Sequence, residues 1–494
     1  MADNVDPGTI VCGNCRALVA VDSTFCMMCG RTLGGDSAGF AGPVAPPPGG
    51  FAPPTYGSPP GYGWPPAYGS GPAGPGGFGY PPVRARGSRP MIVVAIAVAL
   101  IAATVAGAIF VLGAGTGRSA ATLTPLIVPT YHATPTPRPS GNFSSTGALT
   151  VARYSAAATL LGDGRVLIVG GRGTAADGST GVLASAELYD PATGKFTPTG
   201  SLTTPRAYGT ATVLRDGRVL MAGGSDSCPN DVCDSLASAE LYDPQAGTFS
   251  PTGSMSIDRA GHSATLLSDG RVLIVGGSDN CTASSCPLAS AEIYDPNTGK
   301  FSSAGSMKVA RYGSAAALLA DGRVLVAGGD GSGATPTLAS AEIYDPKTDK
   351  FSATGSMATA RWGHTATPLE DGRVLVAGGS GISSAEIYDP KTGKFSPTDS
   401  MAATRDWHTA TGLADGSVLV AGGADCSGSQ CAARSTADLY NPNTGKFGPA
   451  GAMATSRDGH TATLLKDGNV LIAGGLGDNI ILDSAELYLP VGTP

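Results

Sequence analysis

Seven Gly-Gly pairs, beginning at residues 170, 223, 276, 328, 378, 422 and 474, divide most of this chain into units of nearly constant length. The spacings between them are 53, 53, 52, 50, 44 and 52 residues. Each unit has the same parts in the same order. An arginine opens it: Arg153, Arg206, Arg259, Arg311, Arg361, Arg405 and Arg457. A run of small residues follows, as in Ser263-Ala264-Thr265-Leu266-Leu267. Next comes Asp-Gly, from Asp163-Gly164 to Asp467-Gly468, the dipeptide of a tight hairpin between apolar runs. An aliphatic strand then runs into Gly-Gly. After a variable loop most units reach Ala-Glu-Leu/Ile-Tyr-Asp-Pro and a Thr-Gly-Lys-Phe-like turn. A small sheet with two apolar faces buries neither face alone, so units of this size stack on one another. Small residues suit the place where wedges converge, and Tyr and Phe the place where they widen. The expectation is an all-β chain, a seven-bladed β-propeller.

The opening arginine, small-residue strand, Gly-Gly, Tyr-Asp-Pro and terminal aromatic together resemble kelch repeats of the variety common in bacterial surface proteins. The last position holds Phe here (Phe196, Phe249, Phe301, Phe351, Phe395, Phe447), where many members of that family have Trp. The resemblance implies a kelch-type propeller over residues 143–490. Ring closure is also readable. Phe143-Ser144-Ser145-Thr146-Gly147 matches the fourth strand of a unit but precedes the first arginine. The last unit, Arg457 to Pro490, lacks that strand, so residues 143–149 are expected to complete the seventh blade and remove exposed sheet edges at that join.

The segment ahead of the repeats differs in kind. Residues 1–142 carry four acidic side chains and seven arginines, a net +3, which leaves −10 of the total −7 on the repeats. An acidic major domain argues against nucleic-acid binding. Residues 1–35 hold Cys12, Cys15, Cys26 and Cys29 as C-x2-C-x10-C-x2-C. Four thiolates close a tetrahedral Zn²⁺ and leave no open position for catalysis, so a structural zinc ribbon is expected. Residues 36–90 are a Pro/Gly/Tyr-rich tether, too poor in aliphatic side chains to fold. Its Pro-Pro-x-Tyr runs ending at Tyr56, Tyr62 and Tyr68 read as low complexity. Residues 91–113 form an uncharged run of 23, and a helix crosses a bilayer core with about 20. Arg84, Arg86 and Arg89 precede the run and only Arg118 follows closely, which places the N-terminus in the cytoplasm and the repeats outside the cell membrane. Residues 114–142 read as a Thr/Pro-rich stalk.

Within the repeats, Cys228/Cys233, Cys281/Cys286 and Cys426/Cys431 are C-x4-C pairs that follow Gly-Gly. On an extracellular domain, even local pairs read as disulfides. His262, His364, His408 and His460 share the position three residues after the arginine, where an imidazole bonded to backbone is expected rather than a metal ring. The arginines and the acids Glu187, Glu240, Glu292, Glu342, Glu386, Asp438 and Glu486 recur once per unit and suggest structural ion pairs. Residues that vary between units are more informative. Tyr154, Tyr208, Tyr312, Trp362, Asp406, Trp407 and Asp458 follow the arginine, which the resemblance puts at a channel mouth. Aromatics with acids there suit a protein or glycan ligand. The loops 172–182, 225–236, 278–288, 330–337 and 424–435 are the other candidates for specificity. No nucleophile–base set or cofactor fingerprint is present, so a non-catalytic membrane-anchored binding module is the first expectation. Two alternatives stand beside it: the kelch resemblance brings a galactose-oxidase-like copper oxidase, and the membrane span with the ribbon brings a transmembrane sensor signalling to the ribbon.

Overall fold

The computed structural model describes residues 9–11, 18–20, 141–174, 180–227, 234–280, 286–332, 337–379, 381–426, 431–478 and 480–491. Cys12, Cys15, Cys26, Cys29, Cys228, Cys233, Cys281 and the apolar run 91–113 lie outside them. Near the N-terminus, Thr9–Val11 pairs antiparallel with Leu18–Ala20. Every other regular element among the described residues is also a strand, and none is a helix long and apolar enough to cross a membrane.

Each of the seven units forms one antiparallel sheet of at least four strands, here called blades 1–7 in the order of their arginines. Blade 2 runs outward from Thr210–Val213 through Val219–Ala222 and Ala239–Asp243 to Thr248–Pro251. Blade 7 takes its outer strand from the other end of the chain. Asn142–Ser145 pairs with Ala485–Leu489, with Phe143 opposite Tyr488. The innermost strands touch in sequence order, and Thr461–Leu464 of blade 7 touches Ala157–Leu160 of blade 1. The sheets therefore close into a ring.

The second strand of each blade is apolar throughout and buried on both faces, so alternate side chains serve different neighbours. In blade 2, Val219 and Met221 pack with blade 1, while Leu220 and Ala222 pack with blade 3. Among the described residues the core is thus seven seams between blades, with Leu471 and Ala473 meeting Val166 and Ile168 at the closing one.

Gly-Gly is a seam device. Gly223 and Gly224 have φ of 57° and 95°. A Cβ on Gly223 would lie 2.5 Å from the Arg259 carbonyl oxygen and 2.7 Å from His262 Cε1, both on the next blade. The Gly224 amide donates to that same Arg259 carbonyl at 2.9 Å. All seven seams repeat the bond, and Gly475 N–H to Arg153 O, 2.8 Å, completes the circle.

A strained aromatic mouth as candidate binding site

The opening arginines fix the backbone of the mouth. All seven are buried. In blade 2, Arg206 Nη1 donates to the carbonyls of Gly223 (2.9 Å) and Ser238 (3.0 Å), and Nη2 pairs with Glu240 Oε1 at 3.0 Å. Glu240 also accepts the Thr203 and Thr204 amides, at 2.8 and 3.1 Å. Burial pushes the Glu240 carboxyl up, but those amides and the guanidinium outweigh it and hold it below the usual range. Burial lowers Arg206 itself. The ion pairs suggested by the repeat form in all seven blades, each within one blade. They clamp the segment that leads into the two residues after each arginine.

The second of those residues is Ser155, Tyr208, Gly261, Gly313, Gly363, Trp407 or Gly459, and all seven have φ between 50° and 64°. Six of the seven joins between them carry a hydrogen bond from one residue's N–H to the preceding blade's carbonyl. Examples are Gly261 N–H to Tyr208 O at 3.1 Å and Ser155 N–H to Gly459 O at 2.8 Å. The result is a backbone hoop around the axis in the left-handed conformation. Glycine adopts this freely, whereas an L side chain pays about 1–2 kcal/mol. Four blades use glycine. Tyr208 and Trp407, both bulky, hold the strained conformation, as does Ser155. Strain of this kind concentrates where a side chain is needed for function.

The aromatics lie over the hoop of the neighbouring blade. A Cβ on Gly261 would run into Tyr312 Cε2, and one on Gly313 would meet Trp362 Cε3 at 3.5 Å. Trp362 and Trp407 contact edge to face, with centroids 5.1 Å apart. Tyr154, Tyr208, Trp407 and Asp458 converge on a hollow of about 50 Å³, with Cys426 and Cys431 on its lip. Those two cysteines are joined by a disulfide, as expected, and Cys286 is also disulfide-bonded. Burial raises the Tyr208 hydroxyl above its ordinary pKa and takes Tyr312 to about 12, so both stay neutral phenols.

Two of the seven face residues read from the sequence are turned inward. Trp362 is 9 % exposed and serves as the floor under Trp407. Asp406 is 5 % exposed, and its two oxygens accept the Gly381 amide at 3.0 and 3.1 Å. Burial, with Asp425 nearby, pushes Asp406 up to about 7. A folded pKa raised above the unfolded carboxyl value stabilises the fold at low pH and loses that contribution as pH rises through about 7. Asp406→Asn is therefore expected to gain stability relative to the native chain as pH goes from about 4 to about 7. Urea unfolding at a series of pH values checks this; parallel curves for the two proteins would contradict it.

The four histidines lie in the seams rather than around a channel. His262, His408 and His460 bring Nε2 within 3.1, 3.0 and 2.9 Å of a hydroxyl on the preceding blade: Thr210, Thr365 and Thr409. The backbone bond expected from the sequence is present for His408, whose Nδ1 lies 3.1 Å from Arg405 O. The partner hydroxyl, some fifty residues away, was not expected. Burial first, and the nearby arginine second, hold all four imidazoles down to about 3, so they are neutral. Blade 4, which precedes His364, has Ala315 where blades 2, 5 and 6 place threonine before the other three histidines, and His364 lacks the hydroxyl bond. Ala315→Thr is expected to stabilise the protein by about 0.5–1.5 kcal/mol, read as a higher urea midpoint.

The opposite face, at the Asp-Gly hairpins, has roomier grooves, one of about 590 Å³ between Arg323 and Asp371. These are gaps between exposed ion pairs such as Arg323–Asp321, which recur in several blades and carry little energy. No three His, Cys, Asp or Glu side chains among the described residues converge on a metal position.

Comparison with known proteins adds the following. The Kelch motif family matches residues 259–308 and 311–358. Spermatocyte protein spe-26 of Caenorhabditis elegans is 34 % identical over 128 residues, 26 % of this chain. The match spans about a fifth (21 %) of that protein's length. A fungal alcohol oxidase of the AA5 family, solved in complex with copper, superposes with a TM-score of 0.56 at 19 % identity, covering 71 % of this chain and 76 % of that one. At that identity the likeness is one of fold.

Proposed function

We propose that this kelch-repeat chain is a non-catalytic binding module, with its ligand site at the aromatic mouth of the propeller. The observation that carries the reading is the left-handed backbone of Tyr208 and Trp407, where four other blades place glycine. In the same reading, residues 91–113 anchor the chain in the cell membrane. The propeller stands outside, and Cys12, Cys15, Cys26 and Cys29 hold a structural zinc ion inside. The disulfides at Cys426–Cys431 and Cys286 suit an oxidising exterior. The copper-oxidase alternative draws on the shared fold alone; here the described imidazoles sit in the seams.

The test is a screen of the full chain in detergent micelles against protein and glycan arrays, repeated with Tyr208→Gly and Trp407→Gly. Binders lost in both variants support the mouth. Binders retained by both would place the site elsewhere.

A further inference from the structure

We infer that the hollow between Tyr154, Tyr208 and Trp407 seats a single cationic head group, the ammonium or guanidinium of a basic side chain on a protein partner. This rests on the mouth being the binding site and names what it takes. Size comes first. The hollow is about 50 Å³, enough for a head group, whereas small-molecule pockets run to roughly 300–1,000 Å³. Its walls come next. Three aromatic side chains reach it from blades 1, 2 and 6, and Asp458 adds a carboxylate from blade 7. A cation within about 6 Å of such rings is attracted by their π faces, more strongly where water is excluded. Long-range charge acts in the same direction, because the repeats carry a net −10 and draw basic partners.

The charged groups around the hollow set the signs of the test. Asp458 faces it directly. Arg172, paired in register with Tyr154, acts electrostatically on Tyr208. Asp425 is already ion-paired with Arg434. A seat for a cation should therefore lose affinity when Asp458 is neutralised and gain it when Arg172 is.

Two of the chain's three tryptophans, Trp362 and Trp407, stand at the mouth, so a ligand there changes the intrinsic fluorescence of the full chain against the background of Trp64. The probes are a blocked pentapeptide with a central lysine, the same peptide with Nε-acetyllysine, one with glutamate, and the neutral disaccharide cellobiose. The lysine peptide is expected to change the emission and to bind at least about tenfold tighter than the acetylated one. Asp458→Asn should weaken it about tenfold, and Arg172→Gln should tighten it a few-fold. Equal binding of lysine and acetyllysine peptides, or no effect of Asp458→Asn, overturns the inference. Binding of cellobiose or the glutamate peptide with an emission change overturns the cation seat and leaves the mouth as the site. A partner that binds the chain without any change in emission overturns both.

Discussion

Glu240→Gln is expected to cost the propeller about 3–5 kcal/mol of unfolding free energy, the usual result of leaving one member of a buried ion pair behind. Glutamine keeps the shape but not the charge, and its amide NH₂ must face a donor. Arg206 Nη2 and the Thr203 and Thr204 amides all point at the two oxygens. Burial, not distance, decides the size of the effect. The Asp163–Arg165 pair is shorter, at 2.7 Å, but its side chains are 44 % and 37 % exposed. Asp163→Asn should therefore cost under about 1 kcal/mol. The sign with pH follows from the depressed Glu240 carboxyl. Its contribution is present above the unfolded carboxyl pKa and is lost as pH falls through the lower folded one. Glu240→Gln should flatten that part of the acid limb, and urea unfolding of the two variants at neutral and acid pH measures both effects. A loss below about 1 kcal/mol for Glu240→Gln would mean that the clamp does not hold the segment that carries Tyr208.

Removing the ring that closes blade 7 is the second large effect. Phe143 packs on Tyr488 with centroids 5.2 Å apart, across the join between the two ends of the repeats. Tyr488 is fully buried in the last seam, and Phe143 is half-buried against it. Tyr488→Ala is expected to cost about 3–5 kcal/mol and Phe143→Ala about 2–3, the smaller loss reflecting the partial exposure. A double-mutant cycle should return a coupling of about 0.5–1.5 kcal/mol, the usual worth of an aromatic pair beyond its buried area. The Phe143 variant should also weaken the pairing of Asn142–Ser145 and bare the edge of Ala485–Leu489. Self-association in sedimentation experiments would report that edge. A coupling near zero would mean that the N-terminal strand does not close the ring.

Much of this could be read from the repeat because each feature recurs in register. The arginine and its acid, the Asp-Gly hairpin and the displaced strand at Phe143 are all contacts within a unit or its immediate completion. Contacts between units were harder to read. His262 finds Thr210 on the preceding blade, a pairing visible only once the blades have an order in space. The inward turn of Trp362 and Asp406 depends in the same way on Trp407 and Gly381 of adjoining blades. The strained hoop had a signal that can be found by aligning the units. The column Ser155, Tyr208, Gly261, Gly313, Gly363, Trp407, Gly459 is mostly glycine, which marks a positive φ, and its exceptions mark the candidate site. Ser155 is harder to single out in that column, because it is small and polar.

Glycine at both Tyr208 and Trp407 separates strain from binding. Each change relieves about 1–2 kcal/mol of left-handed backbone strain. Against that stand about 0.5–1 kcal/mol for the freer unfolded chain and a similar or slightly larger loss of half-buried aromatic surface. The measurement is the unfolding free energy of the Tyr208→Gly/Trp407→Gly chain beside its ligand binding. The expected result is stability within about 1 kcal/mol of the native chain, with binding lost. A loss above about 3 kcal/mol, the cost of removing a structural aromatic, would contradict a functional mouth, and so would undiminished binding.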